Sequence, residues 1–202
     1  MTLKKAVIAT GNSHKLREIG EMMRGFQIQV VSMKEMGLEG LDIEETGHTF
    51  EENALIKAKT VAEKTGMLSL ADDSGLEVDQ LDGAPGIYSA RFAGVQGDDQ
   101  ANNAKLLQAL QNVPLDKRQA RFVCALAAVF PDGGSIVVRG TVEGCIDFQE
   151  KGTHGFGYDP LFLIPELGKT FGELEPGIKN TMSHRHRAIE SMKERLLPLF
   201  GG

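Results

Sequence analysis

Cysteine is scarce in this chain: Cys124 and Cys145 are the only two in 202 residues. Both lie in apolar segments without metal-ligand spacing, which argues against a disulfide scaffold or a thiolate metal site. Buried free thiols in a reducing cytoplasm are the expectation. Long apolar runs are missing as well. The start, MTLKKAVIATGN, offers about six apolar residues, below the roughly 7–15 of a signal peptide's core. No window approaches the roughly 18 apolar residues of a membrane span. Positive charge is in deficit, with 22 Lys and Arg against 28 Asp and Glu and a net charge of −6. That balance disfavours broad nucleic-acid or membrane binding, because both need a basic field. Repeats, low-complexity tracts and linkers are absent too, so one domain over residues 1–202 is expected. A chain of this length buries about 70% of its unfolded surface and needs no metal or disulfide to fold.

What is present reads as alternating strands and helices. Lys5–Thr10 (KAVIAT) is a β-branched strand broken by Gly11-Asn12-Ser13. Leu16, Ile19, Met23 and Phe26 then recur at helical spacing, with Gly25 as the stop. Gln27–Val31 alternates like a strand. Thr49 and Glu52 form a capping-box signature for a helix carrying Ala54, Ala58, Val61 and Ala62 and ending at Gly66. Leu68–Val78 reads LSLADDSGLEV: an apolar strand with Asp72 and Asp73 at its exit and a turn at Ser74-Gly75. Gly83, Pro85 and Gly86 mark another turn. Asp98 or Asp99 caps a helix with Ala104, Leu107 and Leu110 on one face. Residues 120–130 and 135–146 flank PDGG, a hairpin signal through Asp132-Gly133. After a Gly-rich loop, Ser183 caps a last helix with Ala188, Met192 and Leu196 inward. The sum is a mixed α/β sheet with flanking helices.

Four stretches carry chemistry. In ATGNSHK (Ala9–Lys15) a strand, a glycine turn and a helix start make an anion site from backbone N–H groups and the helix dipole. The P-loop and G-x-G-x-x-G patterns are absent, and the plain alternative is a βα turn with a solvated lysine. Asp72 and Asp73, adjacent on a strand, point to opposite faces. One would face a cleft and the other cap the Ser74-Gly75 turn; Glu44 and Glu45 supply further carboxylates. A hard cation such as Mg2+ would use one or two of these together with phosphate oxygens. The alternative is an Asp-Ser-Gly turn bonding its own backbone. KNTMSHRHR (Lys179–Arg187) gathers cations and histidines at a helix N-terminus, where they are unfavourable to the helix. That placement favours a negative or electron-rich ligand over a solvated basic edge. GTHGFGYDP (Gly152–Pro160) spaces Phe156 and Tyr158 with glycines, as a pocket for a flat ring or an aromatic-anchored surface loop would. Phosphate cradle, metal carboxylates, ring pocket and cationic clamp are the parts of a nucleoside triphosphate site, and two lobes with a cleft between them would bring the four together.

These stretches, with EETGHTFEENA (Glu44–Ala54), ADDSGLEVDQLDGAPGIYSARF (Ala71–Phe92), FGYDP (Phe156–Pro160) and SHRHRA (Ser183–Ala188), closely resemble the inosine/xanthosine triphosphate pyrophosphatase family nearly end to end. The resemblance implies an elongated mixed sheet with flanking helices, two lobes around a central cleft, and a cytoplasmic homodimer. It implies Mg2+-dependent cleavage of non-standard purine nucleoside triphosphates (ITP, dITP, XTP) to the monophosphate and pyrophosphate. By carry-over Thr10, Gly11, Asn12, Ser13, His14 and Lys15 cradle the phosphates, and Ser74 touches substrate. Glu44 and Asp73 hold the metal, and Asp73 accepts the proton. Phe156, Gly157, Tyr158, Asp159, Lys179, His184 and Arg185 hold the purine. A cation facing a 6-keto oxygen would leave adenine opposite an unpaired donor; the rejection of guanine does not follow from these residues. Two other classes stay open. One is a phosphatase with an aspartyl nucleophile, although D-x-D-x-[TV] is missing; the other is a nucleotide-binding protein without turnover.

Overall fold

A computed structural model of the chain describes residues 4–23 and 28–200. Seven strands form one sheet in the order β2-β1-β3-β4-β5-β6-β7. They are β1 (Lys4–Ile8), β2 (Ile28–Ser32), β3 (Leu68–Val78), β4 (Gln119–Val129), β5 (Ser135–Ile146), β6 (Phe162–Ile164) and β7 (Lys169–Thr170). β1 runs parallel to β2 and β3, whereas β6 is antiparallel to β5 and β7. Five helices accompany the sheet: α1 (Ser13–Met22), α2 (Phe50–Thr65), α3 (Asp99–Ala109), α4 (Pro176–Met182) and α5 (His184–Phe200). The expectation of a mixed α/β sheet with flanking helices holds.

The chain divides into two compact units. The first comprises Met1–Asp73, Cys124–Gly140 and Arg185–Gly202; the second comprises Ser74–Val123 and Thr141–His184. The first unit's core packs Ala6, Ile8, Leu70 and Leu126 from strands against Ile19 of α1 and Ala188, Ile189, Met192 and Leu196 of α5. The second unit's core is more aromatic, with Phe122, Tyr158, Phe162 and Phe171 among Leu76, Leu106, Leu110 and Leu161. The two cysteines are free. Cys124 belongs to the first unit and is fully buried.

Local signals explain most boundaries. Thr49 caps α2 by accepting from the Glu52 N–H at 3.1 Å, and the Glu52 carboxylate returns to the His48 N–H at 2.6 Å. Gly66 closes α2 at φ 63°, a conformation that favours glycine. Asp98 caps α3 through the Ala101 N–H. The Phe130 N–H bonds the Gly134 carbonyl across the Asp132-Gly133 turn, so the β4–β5 hairpin is as expected.

Three expectations change. β3 does not end at the acids: it runs unbroken through Ser74-Gly75 to Val78, because both of its faces are buried and the ladder outweighs the turn propensity of Asp-Ser-Gly. The inward face of α3 carries Asn102, Asn103 and Leu106 with Leu110, not Ala104, which is exposed. Two buried asparagines hide that face from a reading based on apolar spacing. The Gly-rich stretch after β5 contains β6, β7 and α4. The expected helix end at Gly25, the inward Phe26 and the strand start at Gln27 lie outside the described residues.

Candidate active site

In the first unit the site begins at the β1–α1 junction. Asn12 caps α1, its side-chain oxygen accepting from the N–H groups of His14 at 2.9 Å and Lys15 at 3.2 Å. The Thr10 hydroxyl in turn accepts from the Asn12 N–H. Three of the four amides orphaned at a helix start, those of Asn12, His14 and Lys15, are thereby satisfied within the loop. Gly11, Asn12, Ser13 and His14 are exposed. Lys15 lies one turn in and reaches back to Asp72 at 3.0 Å.

Asp72 and Asp73 have different surroundings. Asp72 is fully buried and meets Lys15 and Arg185, the latter at 3.4 Å. Arg185, itself 2% exposed, also donates to the Glu18 carboxylate. Burial alone would push Asp72 up, but Lys15, Arg185 and Lys57 hold it well below the usual carboxylate range. The same pairing outweighs burial at Arg185 and keeps its guanidinium more firmly charged than usual.

Asp73 lies against α2. One carboxylate oxygen accepts from Lys57 at 3.1 Å, the other from the Asn53 amide at 3.3 Å. Lys57 also reaches Glu45 at 2.8 Å. Burial raises Asp73 above the usual aspartate range, with Glu45 adding to it against the pull of Lys57 and Lys15. For Lys57 the carboxylates win: burial works against its charge, yet Asp73, Asp72 and Glu45 raise it. Of two identical side chains, one is held as an anion by the cations around it and the other is raised by burial.

Among the described residues no three His, Cys, Asp or Glu side chains gather as a ready metal cage. The donor set is carboxylate oxygen only: buried Asp73, with Glu44 and Glu45 on the loop before α2. Glu44 is exposed, and Glu45 is the one that shares Lys57 with Asp73. Such a set suits Mg2+, which takes one or two carboxylates and completes its shell with water and phosphate oxygens.

The second unit holds the remaining predicted residues. Gly155 and Gly157 adopt φ 80° and 61°. A Cβ at Gly155 would stand 2.0 Å from the Asp159 carboxylate, so glycine is required there. Asp159 accepts from the Phe156 N–H at 2.8 Å and from Lys179 at 2.5 Å. The Lys179 ammonium lies 5.2 Å from the Phe156 ring centre, within cation–π range. Tyr158 is buried and donates its hydroxyl to the Ser89 carbonyl at 2.8 Å; burial and then Asp99 push its ionisation up. His184 opens α5 and stacks on Phe122, centroids 5.0 Å apart. Ser74 is half-buried on β3.

Lys15 and Asp72 thus meet, and Phe156, Asp159 and Lys179 meet. Arg185, expected at the purine, stands in the first unit on Asp72 and Glu18. Lys57, Asn53 and Glu18 were absent from the expected set. Helical spacing could have found them: Asn53 and Lys57 share the inward stripe of α2 with Val61, and Glu18 follows Lys15 by three on α1.

The model of the Ham1 family matches residues 6–195. A dITP/XTP pyrophosphatase of Exiguobacterium sibiricum is 50% identical over 197 residues, covering 98% of this chain and 99% of the relative. One from Desulforamulus reducens is 51% identical, with 97% of each chain covered. The solved Ham1 protein of Staphylococcus aureus superposes with a TM-score of 0.88 at 41% identity, over 97% of this chain and 100% of that one. With the family's model spanning nearly the whole sequence, this chain belongs to the Ham1 family.

Proposed function

We propose that this protein hydrolyses non-standard purine nucleoside triphosphates, ITP, dITP and XTP, to the monophosphate and pyrophosphate, clearing them from the nucleotide pool. The dITP/XTP pyrophosphatase names of relatives matching nearly full length support the substrate class. The observation that carries the chemistry is Asp73, a buried carboxylate lifted by its surroundings beside a second acid held ionised.

In this reading Thr10 to Lys15 bind the phosphates through backbone amides and the Lys15 charge. Water adds to the α-phosphorus, its proton passes to Asp73, and the bond to the bridging oxygen breaks as pyrophosphate leaves. Positioning and charge neutralisation supply most of the rate; the carboxylate base contributes about 10²–10⁴-fold. Bound Mg2+, held by Asp73 and Glu44, would neutralise the phosphate oxygens. Lys57 and Asn53 fix the orientation of the Asp73 carboxylate, and Ser74 contacts substrate. Phe156, Gly157, Tyr158, Asp159, Lys179 and His184 form the purine end, where the Lys179 cation favours a 6-keto oxygen over an amino group. Arg185, held by Asp72 and Glu18, completes the purine end. The protein works as a homodimer without nucleic acid, and sedimentation tests that state. Among the described residues no helix is long and apolar enough to cross a membrane.

The deciding measurement is product analysis with Mg2+ across ITP, dITP, XTP, GTP and ATP. Pyrophosphate from the first three is expected. Orthophosphate instead would point to a phosphatase with an aspartyl nucleophile, and saturable binding without product to a pure nucleotide binder.

A further inference from the structure

Gly157, in the middle of the loop proposed to hold the purine, is gripped from outside that loop. Its N–H donates to the Asp99 carboxylate at 2.7 Å, and its carbonyl accepts from the Asn103 amide at 3.2 Å. Asp99 and Asn103 are four apart on α3 and therefore lie one above the other on one helix face. That spacing lets a single helical turn hold both polar groups of one peptide residue. Asp98 anchors the same turn by capping α3.

The grip has a stated geometry to preserve. Gly157 has φ 61°, a left-handed conformation that solvent alone does not fix in a glycine. Its neighbours are tied elsewhere: Tyr158 to the Ser89 carbonyl and the Phe156 N–H to Asp159. Rotating the peptide at Gly157 would re-aim the Phe156 ring, which is half-exposed. Asn103 is 3% exposed, so its amide bond is made away from water, where a hydrogen bond is stronger and its loss costs more.

We propose that Asp99 and Asn103 are positioning residues that set the purine loop by clamping Gly157 from α3, and so determine how tightly and how selectively the base is held. This rests on the functional reading above. Neither residue belongs to the Thr10–Lys15 loop proposed to bind the phosphates, so their loss should act on the purine end of the substrate.

The test compares Asp99→Ala, Asp99→Ser and Asp99→Asn with the wild type, with Asp98→Ala as control. Asp99 is exposed, so its variants leave the core packed, and serine is well tolerated in a first helical turn yet too short to reach Gly157. The Ala and Ser variants should raise KM for ITP about tenfold, the size of one charge-assisted hydrogen bond. kcat and inhibition by inorganic triphosphate should stay unchanged. Asp99→Asn keeps an acceptor and should recover most of the loss. Hydrogen exchange should show the Gly157 amide less protected in the Ala and Ser variants. An equal KM rise in Asp98→Ala at matched loss of Tm would reduce the effect to helix stability and overturn the clamp, as would unchanged KM and unchanged exchange in both Asp99 variants. If the wild type itself releases no pyrophosphate, the functional reading fails, and the exchange data still decide whether the clamp exists.

Discussion

The two units hold their polar side chains by different physics. In the first, Lys15, Lys57 and Arg185 face Glu18, Glu45, Asp72 and Asp73 in a mostly buried network. In the second, one buried pair, Lys179 with Asp159, stands among bonds to backbone atoms and ring contacts. A charge network suits binding and transforming a charged group, since burial lifts one carboxylate while its neighbours restrain another. Backbone bonds suit holding a shape, since they fix a loop without adding charge to it. Changes in the first unit should therefore alter chemistry and global stability, and changes in the second should alter recognition.

The largest expected effect is at Asp73. Asp73→Asn keeps the shape and the contact with Asn53 but removes the proton acceptor. Turnover of ITP should fall by at least the roughly 10²–10⁴-fold of a carboxylate base, while the circular dichroism spectrum is retained. A fully active variant would overturn the proposed role.

Next comes Arg185→Ala. It takes the guanidinium from buried Glu18 and leaves Asp72 to Lys15, and breaking a buried pair by removing one partner costs about 3–5 kcal/mol. Urea unfolding should show that loss. If the loss is under about 1 kcal/mol, the network behaves like a surface pair and the contrast between the units weakens.

Tyr158→Phe is milder. It removes one buried bond to the Ser89 carbonyl, at about 1 kcal/mol. It also has a pH signature. The folded-state ionisation of Tyr158 lies above the ordinary tyrosine value, so its contribution is complete below about pH 10, the unfolded value, and disappears as pH rises through the folded one. Stability curves of wild type and variant should thus run parallel below that point and converge in alkali.

Smallest is Arg121→Ala. Arg121 meets Glu77, Asp79 and Glu143 on the second unit's surface, and a partly exposed network of this kind should yield under about 1 kcal/mol, shrinking further in salt. A larger loss would mean that surface charge matters in this unit as well.

Much of this arrangement was legible in the sequence because it follows from local signals. Thr49, Glu52 and Gly66 bounded α2 correctly, Ser183 preceded α5, and Asp132-Gly133 turned the hairpin. What escaped depended on contacts distant in the chain. Lys57 reads as an ordinary helical lysine until β3 brings Asp73 to it, and the ion pairs of Arg185 with Asp72 and Glu18 join positions that no local pattern links. Asn102 and Asn103 broke the apolar pattern of α3 because their partners, Ala90, Ala93 and Gly157, are backbone atoms of other segments that no periodicity reveals. β3 misled by composition, since Asp-Ser-Gly favours a turn unless a sheet claims it on both sides.

The uninterrupted run of β3 has one more consequence. Two neighbouring aspartates of the same chemical make differ here only in parity, odd or even, along a pleated ribbon. Inserting a single residue upstream would put Asp72 in the place that meets Lys57 and Ala71 in the place that meets Arg185, without altering the composition of the pair. The proposed base is thus specified by counting, and the tolerance of this strand to length changes should be zero even where its tolerance to apolar replacements is generous.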